Sequence, residues 1–329
     1  MRNLLFFLSL CFGVVSFAMA DTTTTMYVSP EGNDSNPGLT ADTAFRSISA
    51  ALDRAYSGEF ASDSIVAINI LGGSYTGQSA RIKFPVSAPE VRVTGEIKGS
   101  KRPVFQKGKP AQAWLSIYAK EGQDLKLSIS NIEIRKYFSA IAIVGDRNNV
   151  DAGSRGLIVK NNIFREIGSQ PDNSNGNIST GVIRLINSSN GQIINNKFIS
   201  IRNSKGCDAL HAIYLAHHSS ANLIRGNTFD GTCGAAIKLR DRADNNHITR
   251  NTFANLENVS AVQEWFCDQG ARKGCTKESG ECPSVNNVAE QNSYPPNRSK
   301  NQNIEIAART TPRSWCSEKQ FSTIRVNAR

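Results

Sequence analysis

The amino-acid sequence predicts an all-β solenoid of stacked parallel strands, and three observations carry that prediction. First, four stretches end alike: NNIF (161–164), NNKF (195–198), RGNTF (225–229) and RNTF (250–253). Each places Asn two residues before Phe, just after an Ile- or Val-containing strand. Second, three units align along their length: GVIRLINSSNGQIINNKF (181–198), HAIYLAHHSSANLIRGNTF (211–229) and AAIKLRDRADNNHITRNTF (235–253). Their Phe-to-Phe spacings, starting from Phe164, are 34, 31 and 24 residues. A fixed Asn and Phe once per unit is the signature of stacked coils, and the longer units carry loops at one corner. Third, strands alternate their side chains between two faces. Ile183, Leu185, Ile213, Leu215, Ile237 and Leu239 therefore share one core. Asn162, Asn196, Asn227 and Asn251 are expected to stack at a turn and bond along the coil axis, as amide ladders do. Phe164, Phe198, Phe229 and Phe253 stack inside. A β-sandwich with coincidental endings is the competing reading.

The elements follow in chain order. Residues 1–20 read as a secretory signal peptide: Arg2 opens it, LLFFLSLCFGVVSF is the apolar stretch, and Ala18-Met19-Ala20 is a small-residue cleavage site. The apolar run is short for a spanning helix, and nothing later is apolar enough to span a membrane. MYVSPEGNDSNPG (26–38) reads as a strand and a turn. TADTAFRSISAALDRAYSG (40–58) spaces Phe45, Ile48, Leu52 and Ala55 as a helix, started by Thr43 or Asp42 and stopped by Gly58. One coil cannot bury its apolar face alone, so the first needs a cap, and this helix suits the part. SIVAINILGGSYTG (64–77) is a buried strand with a Gly-Gly turn. Stretches 91–105, 113–119, 125–145 and 156–164 supply further coil strands, and polar 168–180 is an inserted loop. From about residue 261 the repeat is lost. The domain reading is therefore signal peptide 1–20, solenoid 21–260, and an irregular, disulfide-rich tail 261–329 that packs on the last coil as a C-terminal cap.

The run YVSPEGNDSNPG…AFRSISAAL…INILGGSYTG, together with the NNIF, NNKF and NTF units, resembles the right-handed parallel β-helix proteins of the pectate-lyase-like superfamily. The resemblance covers roughly residues 26–260. It implies a right-handed parallel β-helix, and it is weak for function. That superfamily holds lyases, hydrolases, epimerases and non-catalytic tail or adhesion proteins.

Export and cysteine count agree. Cys11 leaves with the signal, and six cysteines remain: Cys207, Cys233, Cys267, Cys275, Cys282 and Cys316. An even number in an oxidising compartment favours disulfides in a secreted or periplasmic protein. Cys207 and Cys233 fall at nearly equivalent places before successive strands and are expected to pair. The pairing of the other four is open, with a zinc site as the rival; their spacings contain no CxxC. The chain carries 38 Lys+Arg against 28 Asp+Glu, and loss of Arg2 with the signal leaves +9. On an exported protein such charge favours polyanions: uronate polysaccharides, sulfated glycans, teichoic acid or anionic lipid surfaces. Dispersed basic residues and the absence of a recognition motif argue against nucleic acid. A monomer is expected.

Aligning the three best coils places Arg184, Tyr214 and Lys238 outward on one sheet. Two residues on, the stack is Ile186, Ala216 and Arg240. At the next corner come Asn187-Ser188, His217-His218 and Asp241-Arg242. Such a strip suits β-elimination on a uronic-acid polysaccharide. Arg184, Arg242 and His218 are the expected substrate-binding residues, with Arg as a bidentate carboxylate partner. Lys238, crowded by Arg240 and Arg242, is the expected base, with Arg240 beside it among the catalytic groups, and Tyr214 or His217 is the donor to the leaving oxygen. The resemblance implies Lys and Arg bases on this kind of sheet. Each residue also has a structural reading: Tyr214 covering apolar surface, the cations solvated, His217 and His211 bonding within turns, Asp241 in an ion pair. No cofactor is identified. Calcium, which the resemblance admits, has Asp208, Asp241 and Asp244 as its nearby carboxylates. No outward carboxylate pair suited to glycoside hydrolysis is found in the aligned coils. The expected partner is an acidic polysaccharide, bound by a lyase or a uronate epimerase, or by a non-catalytic β-helix through the same basic strip.

Overall fold

A computed structural model describes residues 22–60, 65–83, 89–119, 122–257, 259–267, 275, 280–296, 300–306, 316 and 324–327. The signal peptide at 1–20, with Cys11, lies outside the described residues. Among the described residues the three large sheets are parallel, of ten, eight and seven strands, and in each the strand order follows the chain order. The chain visits the three in turn: Gly181–Ile186, Gln192–Ile194 and Lys197–Ile201 make one coil, and His211–Ala216, Leu223–Arg225 and Thr228–Thr232 make the next. This is the right-handed parallel β-helix, the hand that crossovers between parallel strands take.

The predicted ladders are present and carry the stacking. The backbone N–H and the Nδ2 of Asn196 both donate to Asn227 Oδ1, at 2.9 and 3.0 Å. Asn227 does the same to Asn251 at 2.9 and 3.0 Å, and its Nδ2 also donates to the Ile193 carbonyl at 2.8 Å. All of these asparagines are buried. Beside them the rings of Phe164, Phe198, Phe229 and Phe253 stack at 4.9 Å between successive centroids. A second amide ladder, Asn222, Asn246 and Asn287, lies at the preceding corner.

The N-terminal helix is present at Ile48–Ala55, and Ile48, Ala51, Leu52 and Ala55 are buried against the first strands. Its cap is Ser47, not Thr43 or Asp42. The Ser47 hydroxyl accepts the Ala50 N–H, as an N-cap does. The Asp34 carboxylate takes the Arg46 and Ser47 N–H groups and the Ser47 hydroxyl, which holds the chain extended up to that point. Thr43 is spent on Thr40 in the preceding turn.

The sheets continue past residue 260, beyond the expected end of the solenoid. Val262–Trp265 and Ile304–Ile306 extend the eight-stranded sheet; Asn287–Glu290 and Ile324–Asn327 extend the ten-stranded one. Asn292 is a fifth ladder amide, accepting from the Asn251 N–H at 2.9 Å, and Tyr294 stacks on Phe253 at 5.4 Å. The chain between these strands carries the cystines Cys267–Cys275 and Cys282–Cys316. Cys207 pairs with Cys233 as expected. The six cysteines are thus all in disulfides, which removes the zinc alternative. No helix among the described residues is long and apolar enough to cross a membrane.

His211 opens the central strand of the eight-stranded sheet, fully buried, with its Nδ1–H donating to the Ala235 carbonyl at 2.8 Å. Burial, with Lys238 adding to it, pushes its pKa from 6.5 down to about 3. The folded chain therefore keeps His211 neutral where the unfolded chain is protonated.

Two outcomes follow from these contacts. Asn227→Ala removes the acceptor of two buried donors, each costing about 1–3 kcal/mol when unsatisfied, and should lower the unfolding free energy by about 2–5 kcal/mol in urea denaturation. An effect below about 1 kcal/mol would show that the ladder does not govern the stacking. The contribution of neutral His211 is fully present above pH 6.5 and is lost as the pH falls from there towards about 3. Unfolding free energies from urea denaturation across that range should fall more steeply for the wild type than for His211→Asn, by up to about 1.4 kcal/mol per pH unit. Parallel curves would contradict the assignment.

Candidate functional site

The outer face of the eight-stranded sheet carries side chains in columns, because successive coils stack in register. One column reads Ser116, Ala142, Arg184, Tyr214, Lys238, Gln263 and Glu305. Beside it runs Ile186, Ala216, Arg240 and Trp265. The register expected for Arg184, Tyr214 and Lys238 is the one observed, with neighbours about 4.8 Å apart. Ala212 and Ile213 both enter the core, which brings His211 and Tyr214 to the same side with ring centroids 5.6 Å apart.

Tyr214 is 7 % exposed on this face, packed with Ile186 and Ala216. Its hydroxyl oxygen accepts from Arg240 Nη1 at 3.2 Å. The remaining bonds of Arg240 go to Glu281: Nε lies 3.0 and 2.9 Å from the two carboxylate oxygens, and Nη2 lies 2.5 Å from Oε1. Burial pulls the Arg240 guanidinium down, but Glu281 and Tyr214 outweigh it and hold its pKa above the ordinary arginine value. Lys238 Nζ donates to Gln263 Oε1 at 2.6 Å. Both cations lie over the Trp265 ring, Lys238 Nζ at 5.1 Å and Arg240 Cζ at 4.6 Å from its centroid. Arg184 is half-buried and forms no ion pair among the described residues; burial lowers its pKa, Tyr214 opposes, and Arg147 and Arg240 add to the lowering.

Three of the sequence-predicted residues are placed away from solvent or already paired. His217 is inside the corner, not on the surface. With Asn187 (φ 50°) and Asp241 (φ 48°) it forms a stack of left-handed residues, its own φ being 48°, and each is buried. Its Nδ1 lies 2.8 Å from Asp241 Oδ2, and its Nε2 is buried with no hydrogen-bond partner among the described residues. It does not reach a substrate on the sheet. Arg242, expected to bind substrate, donates to Asp241 Oδ1 at 2.6 Å and to the Gly280 carbonyl at 3.0 Å. Arg240, expected among the catalytic groups, is held by Glu281. Burial pushes the Asp241 carboxyl up, but His217, Arg242 and the Cys282 N–H together hold it below the usual range. His218 is half-buried beside this corner, and burial lowers its pKa.

His217, Asp241 and Glu281 are the one group among the described residues with metal-ligand geometry, their donor atoms within 4.8 Å of one another. The group does not fit a dication. Asp241 already carries Arg242 and Glu281 already carries Arg240, so an ion would enter against two guanidiniums. The calcium carboxylates are not assembled either: Asp208 is exposed, and Asp244 is spent on the Val285 N–H at 2.7 Å.

Gln263, Trp265 and Glu281 are the residues that the sequence reading missed. The first two were detectable, since AVQEW (261–265) sits under AIKLR (236–240) in the same columns. Glu264 disguises the match by standing where Leu239 stands in the coil before. It is fully buried, and its Oε1 accepts the Ser284 N–H at 3.0 Å. Glu281 lies outside the repeat, between the strands Val262–Trp265 and Asn287–Glu290, and has no periodic signal.

Solved structures similar to the chain include the tailspike of E. coli bacteriophage HK620 in complex with a pentasaccharide, at 13 % identity and a TM-score of 0.48, covering 79 % of this chain and 44 % of that one. A rhamnogalacturonan lyase matches at 14 % identity and TM-score 0.34, over 82 % and 62 % of the two chains. An alginate lyase from Paenibacillus sp. str. FPU-7 matches at 12 % identity and TM-score 0.38, over 87 % and 99 %. The chain thus spans less than half of the tailspike and less than two thirds of the rhamnogalacturonan lyase. No curated protein matches it. A family model described as "Protein of unknown function (DUF1565)" matches residues 30–281, the greater part of the β-helix, and the chain belongs to that family.

Proposed function

We propose that this protein is an exported lyase that cleaves an acidic, uronate-containing polysaccharide by β-elimination across the outer face of the eight-stranded sheet. One observation carries the reading: Arg184, Tyr214 and Lys238 stand in register on three successive coils, and Arg240 donates to the Tyr214 oxygen. A phenol that accepts through its oxygen keeps its own proton to give away.

The chemistry divides among these groups. The Arg184 guanidinium neutralises the uronate carboxylate, which acidifies the adjacent C–H. Lys238, in its neutral form, removes that proton. The electron pair left behind forms the new carbon–carbon double bond as the glycosidic C–O bond at the β-carbon breaks. The departing oxygen takes the Tyr214 proton. No water and no oxidant are consumed. Uronate epimerisation shares the first step and returns the proton to the opposite face of the carbon, with no leaving group. Six paired cysteines support an oxidising compartment, as export requires.

A second reading, glycan binding without turnover, is favoured by the slight exposure of Tyr214 and by the pairing of Lys238 with Gln263. Both readings use the same basic strip.

Incubation of the mature protein with pectate, alginate and glycosaminoglycans, with calcium and with chelator, should release unsaturated uronate that absorbs in the ultraviolet on one substrate. Lys238→Ala and Tyr214→Phe should each reduce that rate by about 10²–10⁴-fold while circular dichroism stays that of the wild type. A flat trace across the panel sinks the lyase reading for those substrates. Graded, salt-sensitive weakening of binding in the same variants would then establish the binding module.

A further inference from the structure

A cleft lined by described residues opens on a different face from the strip. It has a volume of about 620 Å³ and lies on the outside of the seven-stranded sheet, within the range of ligand sites. Its floor is one residue from each of four successive coils in register: Ser74, Val104, Glu133 and Ile163. Four coils at about 4.8 Å span roughly 14 Å, an elongated trough rather than a round pocket.

One wall is built by an excursion of the chain. Between the strands Glu90–Gly95 and Val104–Gln106, residues 96–103 leave the corner instead of turning directly. Lys98 and Lys101 close the tip through reciprocal backbone hydrogen bonds of 2.9 and 3.0 Å. Arg102 reaches across the corner and donates to the Asn161 carbonyl, two coils further on, which holds the arm against the stack.

The charges in the trough do not cancel. Glu96 pairs with Lys98 at 3.3 Å, and Glu133 with Arg165 at 3.4 Å. Arg102 donates to a neutral carbonyl, and Lys101 has no carboxylate partner among the described residues. Two positive charges therefore border the trough. Val104 and Ile163 offer apolar floor, while Ser74, Ser100 and Glu133 offer hydroxyl and carboxylate groups.

We propose that this trough is a second saccharide site, separate from the strip, that takes a segment of an acidic oligosaccharide. The sugar carboxylates face Lys101 and Arg102, sugar hydroxyls donate to Glu133, and the C–H faces of the rings lie on Val104 and Ile163. The choice of an acidic glycan rests on the proposed function; the existence of the trough does not. A long polyanion held there and on the eight-stranded sheet at once gains the effective concentration of a bivalent ligand.

Titration calorimetry on the mature protein with oligogalacturonate, oligoalginate and a neutral cello-oligosaccharide tests this. On the acidic oligosaccharide that binds, two sites per chain are expected. Lys101→Glu, in an exposed turn, and Val104→Trp, which fills the floor, should each weaken one site about tenfold or more and leave the other. Arg184→Ala should do the reverse. One site per chain, lost in Arg184→Ala and untouched by both trough variants, overturns the proposal while the proposed function stands. Binding of neither acidic oligosaccharide overturns both. Equal binding of the neutral oligosaccharide, insensitive to Lys101→Glu, overturns the acidic assignment.

Discussion

A buried asparagine has four hydrogen-bonding capacities to satisfy and no water to satisfy them. At the NxF corner of this β-helix the solution is another asparagine at the same point of the next coil. Asn227 shows it: Oδ1 serves two donors of the preceding coil, while its own N–H and Nδ2 spend themselves on Asn251 and the Ile193 carbonyl. A slip of one residue between coils would strand all of these groups at once and turn every side chain to the wrong face. The corner therefore fixes the register, and the register builds everything on the outer faces. Arg184, Tyr214 and Lys238 are neighbours because Asn162, Asn196, Asn227 and Asn251 are.

The C-terminal end of the strip solves a different electrostatic problem. Asp241 and Glu281 are both buried carboxylates, and leaving either charge unpaired in the interior would cost several kcal/mol. Arg242 and Arg240 answer them one to one, and the Cys267 and Cys282 N–H groups add a bond to each. The excursion that carries Glu281 is tied at Cys282 to Cys316 and at Cys267 to Cys275. The ion pairs fasten this excursion onto the edge of the face. A cation spent in this way is closed to any further carboxylate, whereas Arg184 forms no ion pair among the described residues.

What the sequence revealed depended on whether a residue repeats. The NxF endings exposed the coils because each coil needs the same amide and the same ring. The strip was legible for the same reason, since GVIRLI, HAIYLA and AAIKLR share one alternation. Legibility failed where chemistry replaced repetition. Asn292 and Tyr294 continue the ladder as QNSY, with Tyr in place of Phe, and Glu264 takes a core position that Leu holds elsewhere, so the coil at 262–265 looked irregular. The start of the helix was misplaced because Asp34, distant in sequence, decides it. His217 looked like a surface residue since a corner position reveals no facing; only the left-handed backbone at Asn187, His217 and Asp241 turns all three inward.

Repetition also explains how one fold carries charge on two faces without conflict. Each coil exposes a short strand on each of three sheets, so a residue chosen for one face leaves the others free. The strip draws on coil positions 184, 214 and 238, and the trough on 74, 104, 133 and 163, with no residue in common. The trough begins in earlier coils than the strip and faces another side, so it senses the strip only through the rigid stack and the long-range field. At physiological ionic strength that field decays within about 8 Å. The two faces are therefore independent in local chemistry, and only a ligand long enough to wrap from one to the other would link them.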